Sequence, residues 1–281
     1  MSGKIEIVPV SATEFLQSMD HALFEEFPGG HFWLEHLVRV LAHWERKRSR
    51  FDPEWRLWGA CRNGSAFTAL YAVSAKTRYA LFHATDKAAG ASLLRWALAH
   101  EPPLKVLSPY RSMGQALEAA GLSGRVTRDH RQLLMALAPG ELAVEPDWEY
   151  RLAGEQDIPR LIEYNRLYNE ERRTNWTRDW HDLIGRHIVY VREQEGKITS
   201  CLMRGAVLGF RVALGGTFTF PEFRGLGEAT MLVANFCAEM ALFGNEVCLI
   251  ADDDNLPALR VYAKVGFTPQ GLFRTTYFGR P

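Results

Sequence analysis

Apolar and polar positions along the chain follow helical and strand periods that predict a mixture of helices and strands in both halves. In the second half, helices are expected over about 158–167, 177–184, 226–243 and 255–264, and strands over about 148–152, 188–191, 197–203, 212–220, 247–250 and 273–278. In the first half, helices are expected over about 12–24, 32–46, 88–100 and 110–120, and strands over about 55–61, 67–73, 79–83, 104–107 and 130–137. Because the two kinds of element are mixed rather than strictly alternating, the pattern predicts an α/β protein of the mixed α+β type.

The two halves present their elements in the same order, which indicates a tandem repeat of one fold. The stretch 138–147 holds two prolines, a glycine and several acids, and it separates two periodic segments. We therefore predict a boundary near residue 143, with domains over 1–143 and 144–281. The length of 281 residues agrees with this number of domains, at about 150 residues per domain.

Composition narrows the classes of function. Thirty-three basic residues balance thirty-three acidic ones, so no net positive charge favours nucleic acid as a partner. No run of about 18 apolar residues and no signal-peptide stretch is present, so we expect a cytoplasmic protein with no membrane partner. The four cysteines have no metal-binding spacing and are expected to be reduced, and nothing in the sequence predicts a metal site.

The segment 220–230, Phe-Pro-Glu-Phe-Arg-Gly-Leu-Gly-Glu-Ala-Thr, joins a predicted strand to a long apolar helix. The first amides of a helix have no intrahelical acceptor, and with the positive end of the helix dipole they form an anion site. Gly225 and Gly227 lack Cβ atoms, so a phosphate could approach the backbone closely. The segment lacks the Gly-Lys-Ser/Thr ending of a Walker loop and the third glycine of a dinucleotide fold.

Two motifs in this half together carry a family resemblance. Arg224–Ala229 fits R-x-x-G-x-A, and Asn255–Phe267 fits N-x-x-A-x-x-x-Y-x-x-x-G-F, in which Asn255 caps a helix and Gly266 ends it. Over about 147–278 the chain resembles the GCN5-related N-acetyltransferase (GNAT) superfamily. The resemblance implies two tandem domains of this fold, each a mixed, mostly antiparallel sheet flanked by helices.

The resemblance further implies acetyl-CoA as co-substrate and direct transfer of its acetyl group to a primary amine. The positions that it assigns to co-substrate binding are Thr217, Phe218, Thr219, Arg224, Gly225, Leu226, Gly227, Glu228, Ala229, Thr230 and Asn255. Within that set, a backbone N–H of the strand 217–219 would donate to the acetyl carbonyl. Tyr262 would protonate the leaving thiolate as a general acid.

The attacking amine must lose a proton, and the acceptor must be bound. Candidate bases are Glu222, Asp252 and Asp253, whereas Glu170 and Glu171 could bind a cationic substrate. Trp176, four residues before Trp180 on a predicted helix, could line the substrate pocket or simply pack. A small-molecule amine is the expected acceptor, but its identity, the acyl length and the oligomeric state stay open. A non-catalytic CoA or acyl-CoA sensor or scaffold is the alternative.

The first half has lost the residues that carry the chemistry. Aligned with Arg224–Leu232, the segment 86–94 has Asp86 at the arginine position and Ala89 at the second glycine, and Leu117 takes the place of Tyr262. A carboxylate at this point would repel an anion. We therefore predict that the first domain is a degenerate copy that does not bind acetyl-CoA.

Overall fold

A computed structural model of the chain describes residues 3–25, 31–46, 54–174 and 176–279. The chain forms two compact units. The first unit comprises Met1–Leu134 together with Gln270–Pro281, and the second comprises Met135–Pro269.

The first unit is built on antiparallel strands that end in one parallel pair. Its elements and those leading out of it are β1 (Ile5–Pro9), α1 (Ala12–Ser18), α2 (Ala22–Glu25), α3 (Phe32–Arg46), β2 (Trp55–Arg62), β3 (Phe67–Ser74), β4 (Tyr79–Ala84), α4 (Lys87–His100), β5 (Lys105–Pro109), α5 (Tyr110–Ala120) and β6 (Val126–Leu137). Strands β1 to β4 pair antiparallel in sequence order, and β4 pairs parallel with β5. Helix α4 makes the crossover that a parallel pair requires.

The second unit repeats that arrangement. Its elements are β7 (Arg151–Leu152), α6 (Ile158–Arg172), α7 (Trp180–Gly185), β8 (Val189–Gln194), β9 (Lys197–Leu208), β10 (Arg211–Thr219), α8 (Glu228–Leu242), β11 (Glu246–Asp252) and α9 (Leu256–Val265). The last strand, β12 (Thr268–Phe278), begins in this unit and belongs to the first unit from Gln270 onward. Strands β7 to β10 pair antiparallel in order, and β10 pairs parallel with β11 after the crossover helix α8. The predicted fold class, a mixed and mostly antiparallel sheet with helices in each half, is confirmed.

The division of the chain differs from the predicted boundary near residue 143. The linker lies with the second unit, where the Ala143 amide donates to the carbonyl of Val265 at 2.9 Å. The end of the chain lies with the first unit, because β12 pairs antiparallel with β5 from Phe273 opposite Pro109 to Tyr277 opposite Lys105. Breaker residues mark a linker in the sequence, but hydrogen bonds between distant strands decide which unit a strand joins.

Two local differences have a similar cause. The helix predicted over 12–24 is interrupted between α1 and α2, because Met19 is extended and the Asp20 amide donates to the carbonyl of Phe67 at 2.8 Å. The predicted helix 177–184 begins only at Trp180. The short strand β1 was not predicted.

The core of the second unit forms between α6, α7 and one face of strands β8 to β10. Leu161 and Tyr164 of α6 pack there against Trp180, Val191 and Phe218, all of them buried. Burial of such large apolar side chains contributes about 1.5–3 kcal/mol each. This packing fixes the end of β10 next to α6. Among the helices of the described residues, none has the length and apolar character needed to cross a membrane.

Candidate active site

A cavity of about 700 Å³ opens in the second unit where β10 and β11 stop pairing. The parallel register runs from Arg211 opposite Glu246 to Ala213 opposite Cys248. Farther along, β10 bulges between Gly215 and Phe218. Thr217, Phe218 and Thr219, predicted to bind the co-substrate, follow on this strand and line the cavity.

The start of α8 forms the other wall of the cavity, and its amides are free. Gly227 is the N-cap in a left-handed conformation (φ 91°) with no side-chain cap, and the first helical bond runs from the Met231 amide to the Gly227 carbonyl at 3.0 Å. No described residue accepts a hydrogen bond from the amides of Gly225–Thr230. A Cβ added at Gly225 or Gly227 would meet no atom within 4 Å, so both face open space. The segment fits a bound diphosphate. We call the segment Gly225–Thr230 the cradle.

The side chains of Glu228 and Leu226 in the cradle contribute little to the cavity. Glu228 is buried, with 4% of its side chain exposed. Its carboxylate accepts hydrogen bonds from Thr199 and from Gln194 Nε2, the second at 2.9 Å. The same carboxylate lies 3.3 Å from Arg192 Nε. Leu226 is 64% exposed and lies outside the cavity lining. Both residues therefore offer the cavity little more than their backbone.

The predicted second motif closes the cavity along α9. Asn255 caps this helix, because its Oδ1 accepts from the Ala258 amide at 3.4 Å, and Gly266 ends it in a left-handed conformation. Tyr262 lines the cavity and is 7% exposed. Burial raises the pKa of Tyr262 to about 12, an effect that the Thr217 side chain partly offsets. The phenol is therefore protonated, and able to donate, at neutral pH.

Most predicted site residues are brought together at the cavity. Those that line it are Thr217, Phe218, Thr219, Arg224, Gly225, Gly227, Glu228, Ala229, Thr230, Asn255, Tyr262 and Glu171. Those that lie outside its lining are Leu226, Glu222, Asp252, Glu170 and Trp176.

Two of the three carboxylates predicted as bases, Glu222 and Asp252, are paired with arginines, and none of the three, Asp253 included, lines the cavity. Glu222 lies on a short turn after β10 and accepts from Arg160; its own backbone amide and this arginine hold the pKa of Glu222 below its ordinary value. Asp252, at the end of β11, accepts from Arg172. Both pairings connect an arginine of α6 to a carboxylate elsewhere in the second unit. No signal in the sequence predicted them, because each joins residues from distant segments.

The residues predicted to bind the acceptor have similar partners. Glu170 pairs with Arg166 on the exposed side of α6 at 2.7 Å, away from the cavity. Glu171 lies at the cavity but pairs with Arg224 at 2.6 Å. Neither carboxylate is left to neutralise a cationic substrate.

Trp176 does not share a helix with Trp180 as predicted. It precedes α7, and its carbonyl accepts from the side-chain amides of Asn165 and Asn169, each at 2.8 Å. These bonds hold the backbone of the segment against α6, and the Trp176 side chain lies outside the cavity lining.

The sequence did not predict several cavity residues. Tyr168 and Arg172 of α6 line the cavity, and so do Arg260 and Lys264 of α9. Arg260 and Lys264 are four residues apart, one helical turn, so they lie on one face of α9. That spacing within the second motif is a signal that could have identified them.

Cysteine chemistry does not contribute to the cavity. Cys201 and Cys248 are free and buried, and burial raises the pKa of each thiol to about 12, so both are poor nucleophiles at neutral pH. Within the described ranges, no group of three or more His, Cys, Asp or Glu side chains is arranged to hold a metal ion.

The equivalent position in the first unit already holds an anion of the protein itself. Asp86 is the N-cap of α4, and its Oδ1 accepts from the amides of Ala88 at 2.8 Å and Ala89 at 2.9 Å, while Arg62 contacts Oδ2 at 2.9 Å. Partial burial opposes its charge, but these hydrogen bonds hold the pKa of Asp86 below its ordinary value.

The helix starts also correct the predicted register between the two units. Asp86 is the N-cap of α4 as Gly227 is of α8, so Asp86 corresponds to Gly227 and not to Arg224. The connection from β4 to α4 is shorter than that from β10 to α8. The first unit therefore lacks the loop that carries Arg224 and Gly225.

Comparisons with known proteins agree with this architecture. Residues 152–267 match the model of the acetyltransferase (GNAT) family. A tandem GNAT protein from the clavulanic acid biosynthesis pathway is similar in structure, with a TM-score of 0.63 and 17% identity over 99% of this chain and 100% of that chain. No curated protein sequence matches the chain.

Two further solved structures are similar over nearly the whole chain. A GNAT acetyltransferase from Colwellia psychrerythraea has a TM-score of 0.60 and 13% identity over 98% of this chain and 100% of that chain. A GCN5-related N-acetyltransferase from Sphaerobacter thermophilus has a TM-score of 0.64 and 14% identity over 99% of this chain and 96% of that chain. At these identities the structures show a shared fold, and the family match lies on the segment that holds the cradle and Tyr262. Residues 152–267 are therefore similar to the acetyltransferase (GNAT) family, and the chain shares its fold with the solved GNAT proteins.

Proposed function

We propose that the protein is an acetyl-CoA-dependent N-acetyltransferase that transfers an acetyl group to a primary amine by direct attack on the thioester. The observation that carries the proposal is the row of unpartnered amides from Gly225 to Thr230, which faces the same cavity as the protonated phenol of Tyr262. A diphosphate held by those amides would direct the rest of the co-substrate along β10 toward the phenol.

Other residues of the cavity fit the remaining parts of acetyl-CoA. The backbone of Thr217–Thr219 is available beside the splayed strands for the amide groups of the pantetheine arm. Arg260 and Lys264 are exposed cations at the cavity, suited to the phosphate on the ribose of CoA. Asn255 Nδ2 is left over after Oδ1 has capped α9, so it can donate to the co-substrate or to the amine.

The transfer step uses hydrogen-bond donors rather than a covalent intermediate on the protein. A backbone N–H at the bulge of β10 would stabilise the negative charge that develops on the thioester oxygen. Tyr262 would donate toward the departing sulfur. Because its pKa of about 12 exceeds the reference thiol value of about 8.5, we expect a stabilising hydrogen bond from the phenol more than complete proton release.

The amine must lose a proton when it attacks the thioester, and a carboxylate near the cavity would accept it. We favour Asp252 over Glu222 as the proton acceptor, because it is less exposed to solvent (20% of its side chain against 52%) and its partner Arg172 lines the cavity. As neither carboxylate lines the cavity, proton transfer to Asp252 would pass through water.

Calorimetry with CoA tests the binding step. In Gly227→Ala, the new Cβ would project into the space assigned to the diphosphate, so we expect Kd for CoA to rise about tenfold or more. The matched control is Gly209→Ala, at a hairpin turn with φ 58° and open space around its Cβ. Both changes place alanine in a left-handed conformation, but only the first lies at the cavity. Equal affinities for the two variants would contradict the proposed cradle.

A non-catalytic CoA or acyl-CoA sensor is the second candidate, favoured by the observation that Glu222, Asp252 and Glu171 are all paired with arginines. Tyr262→Phe separates the two candidates. For an enzyme, acetyl transfer to a panel of amines, followed by free thiol release, should fall about a hundredfold while CoA affinity stays within about twofold. A sensor would bind CoA with no amine-dependent release in either form.

A further inference from the structure

Arg178 occupies an unusual position just before α7. The side chain is half-buried, and its guanidinium carbon lies 5.2 Å, 5.6 Å and 5.8 Å from the ring centroids of Tyr164, Tyr168 and Trp180. Its Nη1 donates to Asn165 Oδ1 at 2.7 Å. Three aromatic rings and one amide therefore hold a positive charge in a defined place.

No carboxylate of the described residues pairs with this charge. Two arginines that line the cavity differ, since Arg172 pairs with Asp252 and Arg224 pairs with Glu171; Arg178 itself lies outside the lining. Beyond the bond to Asn165, the remaining guanidinium donors of Arg178 have no acceptor within the described part of the chain. A partly desolvated guanidinium with free N–H groups is an incomplete arrangement, and an anion would complete it.

The ring of Tyr164 connects the guanidinium of Arg178 to the end of the cavity where the reaction is proposed. The hydroxyl of Tyr164 donates to the carbonyl of Gly216 at 3.1 Å, within the bulge of β10 where the thioester is expected. Tyr168 is itself part of the cavity lining. Arg178 therefore contacts two rings of α6 that lie next to the bulge and the cavity.

We propose that Arg178 binds a carboxylate of the acceptor, so that the substrate is an amine that also carries a carboxylate, as amino acids do. The inference rests on the proposed acetyltransferase function and adds the substrate class. A planar guanidinium matches a carboxylate with two parallel hydrogen bonds, and the surrounding rings restrain its orientation. Glu170 and Glu171, the two carboxylates expected to bind a cationic acceptor, are each paired with an arginine instead.

The test compares L-amino acids with their matched carboxamides, which keep the amine and lose the negative charge. Acetyl transfer is followed by thiol release, and in parallel the thermal shift of the CoA-loaded protein is measured with each probe. In the wild type, kcat/KM should favour the carboxylate members by about ten- to a hundredfold. Arg178→Met should reduce this ratio to near one with little change in the KM for acetyl-CoA, and Arg178→Lys should keep part of it.

Controls separate this inference from a structural role and from the proposed function. Arg186→Met removes an exposed arginine that pairs only with Asp182, at 3.4 Å, and should keep the wild-type ratio. If Arg178 merely packs against the rings, its variants lose stability but retain the ratio, which overturns the inference. Equal rates and shifts for both members of every pair in the wild type also overturn it. Calorimetry with CoA on the same samples shows whether the co-substrate site itself has failed.

Discussion

The hydroxyl of Tyr164 donates a hydrogen bond to the carbonyl oxygen of Gly216 at 3.1 Å, which links α6 to the bulge of β10. The ring of Tyr164 is fully buried and lies 5.0 Å from that of Phe218. The bulge follows Ala213, the last residue of β10 that pairs with β11, and precedes Phe218 and Thr219, which line the cavity. One phenol therefore helps to position the backbone proposed to contact the thioester.

Tyr164→Phe removes this hydrogen bond and keeps the ring. We expect the free energy of unfolding to fall by about 1 kcal/mol, as for an ordinary hydrogen bond. We expect kcat to fall more than the affinity for CoA, because the diphosphate cradle on α8 is untouched. The measurements are denaturant unfolding, calorimetry with CoA and steady-state kinetics. Tyr150→Phe, which removes a hydroxyl bonded to Glu239 outside the cavity, is the control. An equal loss of kcat in both variants would contradict the role of the bulge.

Because of the position of Asp86 in the first unit, we expect a single CoA site per chain. The carboxylate of Asp86 occupies the amides at the start of α4, the position equivalent to the cradle. Calorimetry should give one CoA per chain, and Gly227→Ala should weaken that single site. Asp86→Ala should lower the free energy of unfolding by about 1 kcal/mol, through loss of an N-cap, without altering CoA stoichiometry. Two equivalent sites in the wild type would show that the first unit also binds the co-substrate.

If Arg260 and Lys264 contact the phosphate on the ribose, the protein should bind CoA more tightly than dephospho-CoA, which lacks this phosphate. Both are exposed, so each contact is partly screened by solvent, and a ratio of affinities of about threefold to tenfold is expected. Arg260→Ala with Lys264→Ala should abolish the ratio, and raised salt should reduce it in the wild type. Lys197→Ala, an exposed lysine outside the cavity lining, serves as control. A double variant that still prefers CoA would assign the phosphate to other residues.

Because two histidines of the first unit are buried, we expect acid to destabilise this unit. Burial lowers the pKa of His83 to about 4, and burial with the nearby His83 lowers that of His31 to about 3. Both lie below the unfolded value of about 6.5, so the unfolded chain binds more protons at pH 5. The stability is therefore complete above pH 6.5 and declines as the pH falls below it. For His83 the loss at pH 5 is about 2 kcal/mol.

His83→Leu isolates this contribution. The Nδ1 atom of His83 is buried without a hydrogen-bond partner among the described residues, so leucine should cost little at pH 7.5. Denaturant unfolding at pH 7.5 and pH 5.0 should show a smaller acid-induced loss in the variant. His181→Gln, an exposed histidine beside Glu155, should behave as the wild type. The same pH dependence in both variants would show that His83 does not titrate on unfolding.

The sequence by itself determined the local elements and the motif that carries the proposed chemistry. Helix and strand periods are local, and so are the capping by Asn255 and the left-handed ends at Gly227 and Gly266. The residues of both motifs line one cavity in the structure. Arg260 and Lys264 were missed although their spacing was visible, because a turn of charged residues on a helix is usually a solvated face.

Only the tertiary structure decided which charged side chains have an oppositely charged partner within the protein and which do not. Glu222 meets Arg160, Asp252 meets Arg172 and Arg178 meets three rings, through contacts between segments far apart in the chain. The placement of β12 beside β5 is of the same kind. Such pairings depend on the approach of distant segments during packing, and a local pattern contains no information about the partner.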